Sequence, residues 1–228
     1  MRSCLFLLIS LVGLHACPVA AALPGEVEIA YELTRNGSPL ADIVRRLQHA
    51  SGSYQITENW KGRGLFALRG NIKLSSRGVV TPEGLRPLEF VDERSGRDTE
   101  RATFDWTAKT ATLQYQGPAK TVPLPAHPTD ELASLFGFAF HGSRQKEVLL
   151  DVINGRGISD RVFRNEGRER LKTPAGEFDT VKLVRRKDDG DRAEIFLAAD
   201  RHMLPVRVLI VSKDGTRLDQ LAVKISDR

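Results

Sequence analysis

The residues able to do chemistry are few and scattered. Beyond the first two dozen residues, histidine occurs at His49, His127, His141 and His202, and no two sit at the spacing of an H-E-x-x-H helix or of another paired-ligand pattern. No metal site and no bound cofactor is expected from such a set. The G-x-S-x-G nucleophile elbow, the phosphate-cradling Walker loop and the dinucleotide glycine fingerprint do not occur in the chain. Carboxylates are plentiful, and Asp92 with Glu93, or Glu131 with a distant aspartate, could supply general acid and base to an enzyme acting on envelope glycans. The simpler reading of the same residues is solvated strand faces and turns. Asp188-Asp189-Gly190-Asp191 could suggest calcium, yet it lacks the ligand spacing of an EF-hand loop and falls where a hairpin turn belongs. No catalytic residue is assigned, and a non-enzyme is expected.

What remains is binding chemistry. Trp60 and Trp106 would bury large apolar area on a concave sheet face, and with Leu135, Phe136 and Phe138 they are the candidate lining of a site for a lipophilic or amphipathic ligand. The competing reading places these side chains in the core. Arg156, Arg161, Arg164, Arg168, Arg170 and Lys172 crowd positive charge into one stretch, which in an envelope protein could meet anionic lipid headgroups or polysaccharide. Interspersed Asp160, Glu166 and Glu169 favour cross-strand pairing on a wet face instead.

The elements that would carry these residues are mostly strands. Runs rich in β-branched and aromatic residues span Val27 to Thr34, Ser53 to Lys61, Leu68 to Val80, Leu85 to Arg94, Thr99 to Asp105 and Thr110 to Tyr115. Leu40 to Ala50 fits a strand or a short helix. Asn36-Gly37, Pro82-Glu83-Gly84 and Ser95-Gly96 punctuate them as turns. Pro118 to Pro128 reads as an irregular connection. Further strands are expected at Glu147 to Ile153, Ile158 to Glu166, Glu169 to Thr173, Glu177 to Lys187, Ala193 to Ala199, Pro205 to Lys213 and Arg217 to Ile225, with Asp189-Gly190 and Asp214-Gly215 as hairpin turns.

One helix is expected. Thr129 can cap it, Asp130 and Glu131 place negative charge on its first turn, and Leu132, Leu135, Phe136 and Ala139 recur at helical spacing before Gly142. Its apolar face must be buried, so it should plug a curved antiparallel sheet or cover one end of it.

The N-terminus reads as a processing signal. Arg2, the apolar run Leu5 to Leu14 and Ala20-Ala21-Ala22 are the parts of a secretory signal peptide cleaved before Leu23. Residues 1–22 would be removed and 23–228 would form a single β-rich domain in the periplasm. Leu14-His15-Ala16-Cys17 resembles a lipobox, which makes lipidation at Cys17 the alternative, with His15 out of pattern. Cleavage before Leu23 removes both cysteines, Cys4 and Cys17, and leaves 206 residues with 33 basic against 29 acidic side chains. That weak, mixed charge argues against a nucleic-acid surface. No later apolar run reaches the roughly 18 residues of a membrane helix.

Four stretches carry a family resemblance: Val27 to Gly37, Gly84-Leu85-Arg86-Pro87-Leu88-Glu89-Phe90, Phe104-Asp105-Trp106, and Leu197 to Leu209 with Leu204-Pro205-Val206-Arg207 entering a strand. Together they resemble the DUF3108 family of exported bacterial proteins of unknown function. The resemblance implies a β-rich cell-envelope protein and assigns no catalytic residues. The architecture is also loosely similar to the half-barrels of lipoprotein carriers, in which an antiparallel sheet wraps a helix around an apolar cavity. The expectation is therefore a mainly β protein, a curved antiparallel sheet, half-barrel or barrel-like, around one short helix. A lipid or other amphipathic envelope component is its expected partner, and another envelope protein the alternative.

Overall fold

A computed structural model describes residues 24–141, 145–187 and 189–228. The expected signal peptide with Cys4 and Cys17, the helix-ending Gly142, and Asp188 lie outside the described residues. The first half of the chain forms eight strands: β1 (Glu26–Arg35), β2 (Ser38–Ala50), β3 (Ser53–Gly62), β4 (Ile72–Thr81), β5 (Gly84–Arg94), β6 (Glu100–Asp105), β7 (Thr110–Gln114) and β8 (Lys120–Pro123). The two-residue β9 (Pro128–Thr129) and the helix α1 (Glu131–His141) follow. The second half supplies β10 (Glu147–Asn154), β11 (Gly157–Thr173), β12 (Gly176–Arg186), β13 (Arg192–Ala198), β14 (Leu204–Val211) and β15 (Arg217–Asp227).

All fifteen strands join one sheet in the order β8-β7-β6-β5-β4-β3-β2-β1-β15-β14-β13-β12-β11-β10-β9. Two meanders are thus joined by their outermost strands in sequence, β1 and β15, paired from Val27 opposite Asp227 to Arg35 opposite Leu218. Every neighbouring pair is antiparallel except β9 and β10. The sheet is curved and unclosed, and it wraps the single helix, as the strand-rich sequence with one amphipathic segment requires.

Alternation drives the curl. Val27, Ile29, Tyr31 and Leu33 of β1 are buried, as are Ala41, Ile43, Arg45 and Leu47 of β2, so the segment that fitted strand or helix follows the period of two. Burying one large apolar side chain contributes about 1.5–3 kcal/mol. At Asn36 and Gly37, φ of 49° and 82° makes the two-residue turn whose handedness matches the strand twist.

Four expectations are corrected in detail. The strand expected from Leu68 begins at Ile72, because residues 64–69 form a 3-10 turn folded back on Gly62. A Cβ on Gly62 would stand 2.4 Å from the Phe66 carbonyl oxygen. The two strands expected around residue 167 are one, β11, whose bulge between Asn165 and Arg168 is absorbed by Gly167 at φ 103°. The proline-rich connection contains β8 and β9 at the sheet's two edges, where a missing N–H does least harm. The helix cap is Asp130, not Thr129: its Oδ1 accepts from the Leu132 and Ala133 amides, both at 2.8 Å, while Thr129 belongs to β9.

Helix α1 packs against β3, β4, β5, β10 and β14. Leu132, Ala133, Phe136 and Ala139 enter the larger core cluster, and Phe138 enters a smaller one with Val148, Phe163, Leu183 and Ile195. The two wings of the sheet meet beyond the helix. A Cβ on Gly155, in the β10–β11 turn, would stand 2.5 Å from the Gln114 oxygen and 2.7 Å from the Arg101 nitrogen of the opposite wing. Arg156 beside it reaches Glu100 at 2.6 Å and lies 4.1 Å from the Tyr115 ring centroid. Among the described residues no helix is long and apolar enough to cross a membrane.

This contact between wings is testable. Gly155→Ala should lower stability by about 1–3 kcal/mol, because the collision is with backbone that cannot swing aside. The readout is the urea midpoint, and an unchanged midpoint would mean that the wings do not touch.

Candidate functional site

The strand register lays a line of inward-facing residues across the sheet. Ile29 is opposite Arg45, Arg45 opposite Glu58, Glu58 opposite Leu74, Leu74 opposite Asp92, and Asp92 opposite Glu100. Apolar side chains would be expected in such a row, yet four of the six are charged. They line a cleft of about 510 Å³ between one side of α1 and both wings.

Each acid in the cleft is held by an arginine. Glu58 Oε2 accepts from Arg45 Nε at 2.5 Å, and Arg45 also donates to the Tyr31 hydroxyl at 3.1 Å and to Gln220 at 3.5 Å. Asp92 is clasped by Arg94, Glu100 by Arg156, and Glu131 by both terminal nitrogens of Arg161 at 2.8 and 2.5 Å. Arg45 and Glu58 are almost wholly buried, at 2% and 4% side-chain exposure. A buried ion pair of this kind needs its remaining polar atoms satisfied as well. Trp60 supplies one such bond, its Nε1 donating to Glu58 Oε1 at 2.6 Å. Burial pushes the Tyr31 hydroxyl up to about 12, even though Arg45 favours its ionised form. The other wall is apolar and includes Leu135, Phe138, Phe163, Ile195 and Val208.

The five residues proposed as lining separate. Trp60, Leu135 and Phe138 face this cleft together. Phe136 is 1% exposed in the larger core cluster and is not part of the lining. Trp106 sits at a second pocket of about 230 Å³, where Nε1 donates to the Pro87 carbonyl at 2.7 Å and the ring stacks on Phe104. The basic stretch also divides, Arg156 by its place in the β10–β11 turn and the rest by position along β11. Arg156 and Arg161 enter the cleft, while Arg164 and Arg170 make exposed pairs with Glu147 and Glu177. Asp92 lines the cleft but its neighbour Glu93 faces solvent beside Lys73, so these two carboxylates do not converge. Among the described residues no group of three or more histidine, cysteine or acidic side chains is placed to hold a metal. Asp189 and Asp191 belong to the β12–β13 turn, in which the Asp191 amide donates to Asp189. Arg45, Glu58 and Arg185 were missed as cleft residues. The only available sign was charge at an inward position of an alternating strand.

Beneath the helix lies a second polar chain. Tyr54 hydroxyl and Ser76 Oγ are 3.1 Å apart, and Ser76 donates to Asp130 Oδ2 at 2.5 Å. Burial of Asp130 outweighs the bonds that favour its charge and pushes it up to about 7.

An open antiparallel sheet curled around one helix, with an ion-paired cleft beside that helix, defines a single-helix half-barrel. The chain belongs to the DUF3108 family of proteins of unknown function, whose model matches residues 30–221. Among solved structures it is similar to a predicted lipoprotein from Parabacteroides distasonis ATCC 8503, at 9% identity and a TM-score of 0.40, over 89% of this chain and 95% of that one. No curated protein matches the chain.

Two outcomes follow for the polar groups. Glu58→Gln should cost about 3–5 kcal/mol by stranding the Arg45 charge, whereas the Arg45→Met/Glu58→Met double variant should recover most of it. Equal losses in the two, read from urea midpoints, would contradict a coupled pair. Asp130, with its raised folded-state value, contributes stability that is whole below the ordinary aspartate range and is lost as pH rises through about 7. Asp130→Asn keeps the cap and should remove that decline, so its midpoint should change less between pH 4 and 7 than that of the parent.

Proposed function

We propose that this is a non-catalytic protein of the cell envelope, acting in the periplasm, that holds a lipophilic or amphipathic ligand in the cleft beside α1. The observation that carries the reading is the cleft's two-sided lining. Leu135, Phe138, Phe163, Ile195 and Val208 offer burial to a hydrocarbon chain, and the arginine-rich wall offers hydrogen bonds to a polar end. Its volume falls within the roughly 300–1,000 Å³ of small-molecule sites. The secretory pattern of residues 1–22 supports the compartment. Each carboxylate of the cleft, Asp92 and Glu131 included, is paired with an arginine, an arrangement that supports a binding role over acid-base chemistry.

A second reading, an assembly module docking on another envelope protein, is favoured by Leu65 and Leu68 in the 64–69 turn, which are 83% and 84% exposed.

Native mass spectrometry of protein from its own envelope, followed by organic extraction, tests the first reading. A stoichiometric amphiphile is expected, and Leu135→Trp, which would fill the cleft at a half-buried position, should lose it while keeping its melting temperature within a few degrees. Protein that carries no amphiphile, with Trp60 emission unmoved by lysophospholipid, would overturn the reading and leave Leu65 and Leu68 as the surface to crosslink.

A further inference from the structure

The cleft holds more positive charge than its own acids neutralise. Six arginines line it, Arg45, Arg94, Arg97, Arg156, Arg161 and Arg185, against Glu58, Asp92, Glu100 and Glu131. The four acids form ion pairs with Arg45, Arg94, Arg156 and Arg161. Arg97 and Arg185 have no ion pair or side-chain hydrogen bond among the described residues. Arg97 is exposed, as a solvated arginine ordinarily is, but Arg185 is half-buried.

Position explains why Arg185 stands out. It extends the inward row Val181, Leu183, Arg185 of β12, and the first two belong to the smaller apolar cluster. Its cross-strand neighbour is Ala193, next to Ile195 in the same apolar wall. On β11, Arg161 shares its face with Phe163, and although its terminal nitrogens hold Glu131, its Nε is buried with no partner. Burial, and after it the charge of Arg161, pushes Arg185 below the ordinary arginine range, against the pull of Glu131, Asp191 and Asp189. A buried donor with no acceptor, as Arg161 Nε is, is destabilising until one meets it, and the half-buried Arg185 guanidinium beside it is free to share that acceptor.

We infer that Arg185 and the Nε edge of Arg161 form an anion seat, and that the ligand of this cleft is a single-chain amphiphile with a carboxylate or phosphate head. Planar guanidinium donors suit both groups, and the hydrocarbon chain lies along Phe138, Phe163, Ile195 and Val208. The inference rests on the ligand-holding reading of the cleft and adds the charge of the head.

Equilibrium binding of four probes with the same chain separates the two claims: dodecanoate, dodecyl phosphate, dodecanol and dodecyltrimethylammonium, each below its micellar concentration, followed by Trp60 emission in Trp106→Phe protein. The expected result is that one or both anions bind about tenfold or more tightly than the neutral and cationic probes, since a charged hydrogen bond is worth at least that factor. The preferred anion identifies the head. Arg185→Gln, which breaks no ion pair, should abolish the preference by bringing the anions down to the affinity of the neutral probe, while Arg164→Gln, at an exposed pair outside the cleft, should retain it. Equal binding of all four probes, or a preference that survives Arg185→Gln, overturns the anion seat and spares the ligand-holding reading. Binding of none overturns both.

Discussion

The ladder between β1 and β15 is the constraint on which the rest of the molecule depends. It joins strands from opposite ends of the described chain, 26–35 with 217–227, and so places two locally folded meanders side by side in one sheet. Local hairpins form with small loop-closure entropy, whereas this pairing closes a loop of nearly the whole chain. Once it forms, Tyr31 on β1 lies within reach of the Pro205 carbonyl on the other meander, bonded at 2.6 Å, and Arg45 within reach of Gln220. The continuous curved surface that receives the helix exists only with this ladder in place.

Helix α1 then decides what the concavity becomes. Its Leu132, Phe136 and Ala139 fill the middle of the curl, so the space that remains is a cleft along one flank rather than an empty barrel. The ionic row Arg45, Glu58, Asp92 and Glu100 gives that flank a charged lining, buried and paired rather than exposed. Charged groups pair there because leaving either partner alone in a low-dielectric site costs several kcal/mol. Arg156 and Glu100 add a clasp between wings that share no ladder hydrogen bonds at that point.

This arrangement gives the chain a concrete physical feature. A filled core would have left only surfaces to interpret, and an all-apolar barrel would have suggested a wholly lipophilic cargo. The cleft has both kinds of wall, with an ion-paired network on one side and aromatic and aliphatic side chains on the other, and Arg185 lies on a strand bordering the two.

Much of the secondary structure was legible in the chain itself. Period-two alternation in Val27 to Leu33, turn chemistry at Asn36-Gly37 and helical spacing from Leu132 to Ala139 are local properties, set by backbone sterics and by the need to bury one face. Strand alternation also separates Arg161 from Arg164, though the sequence cannot say which face is the inner one. The cap at Asp130, one residue past Thr129, and the bulge that keeps β11 whole depend on neighbours that only the folded sheet supplies. The site was less legible for the same reason. Trp60, Leu135 and Phe138 are legible by their size and apolar character, but that they converge while Phe136 and Trp106 do not is a consequence of how α1 is turned against the sheet and of which strands border its flank. For Arg45 and Arg185 the only local sign is a charge at an inward position of an alternating strand, because the pairing or isolation of that charge is fixed by the side chains that tertiary structure brings beside it.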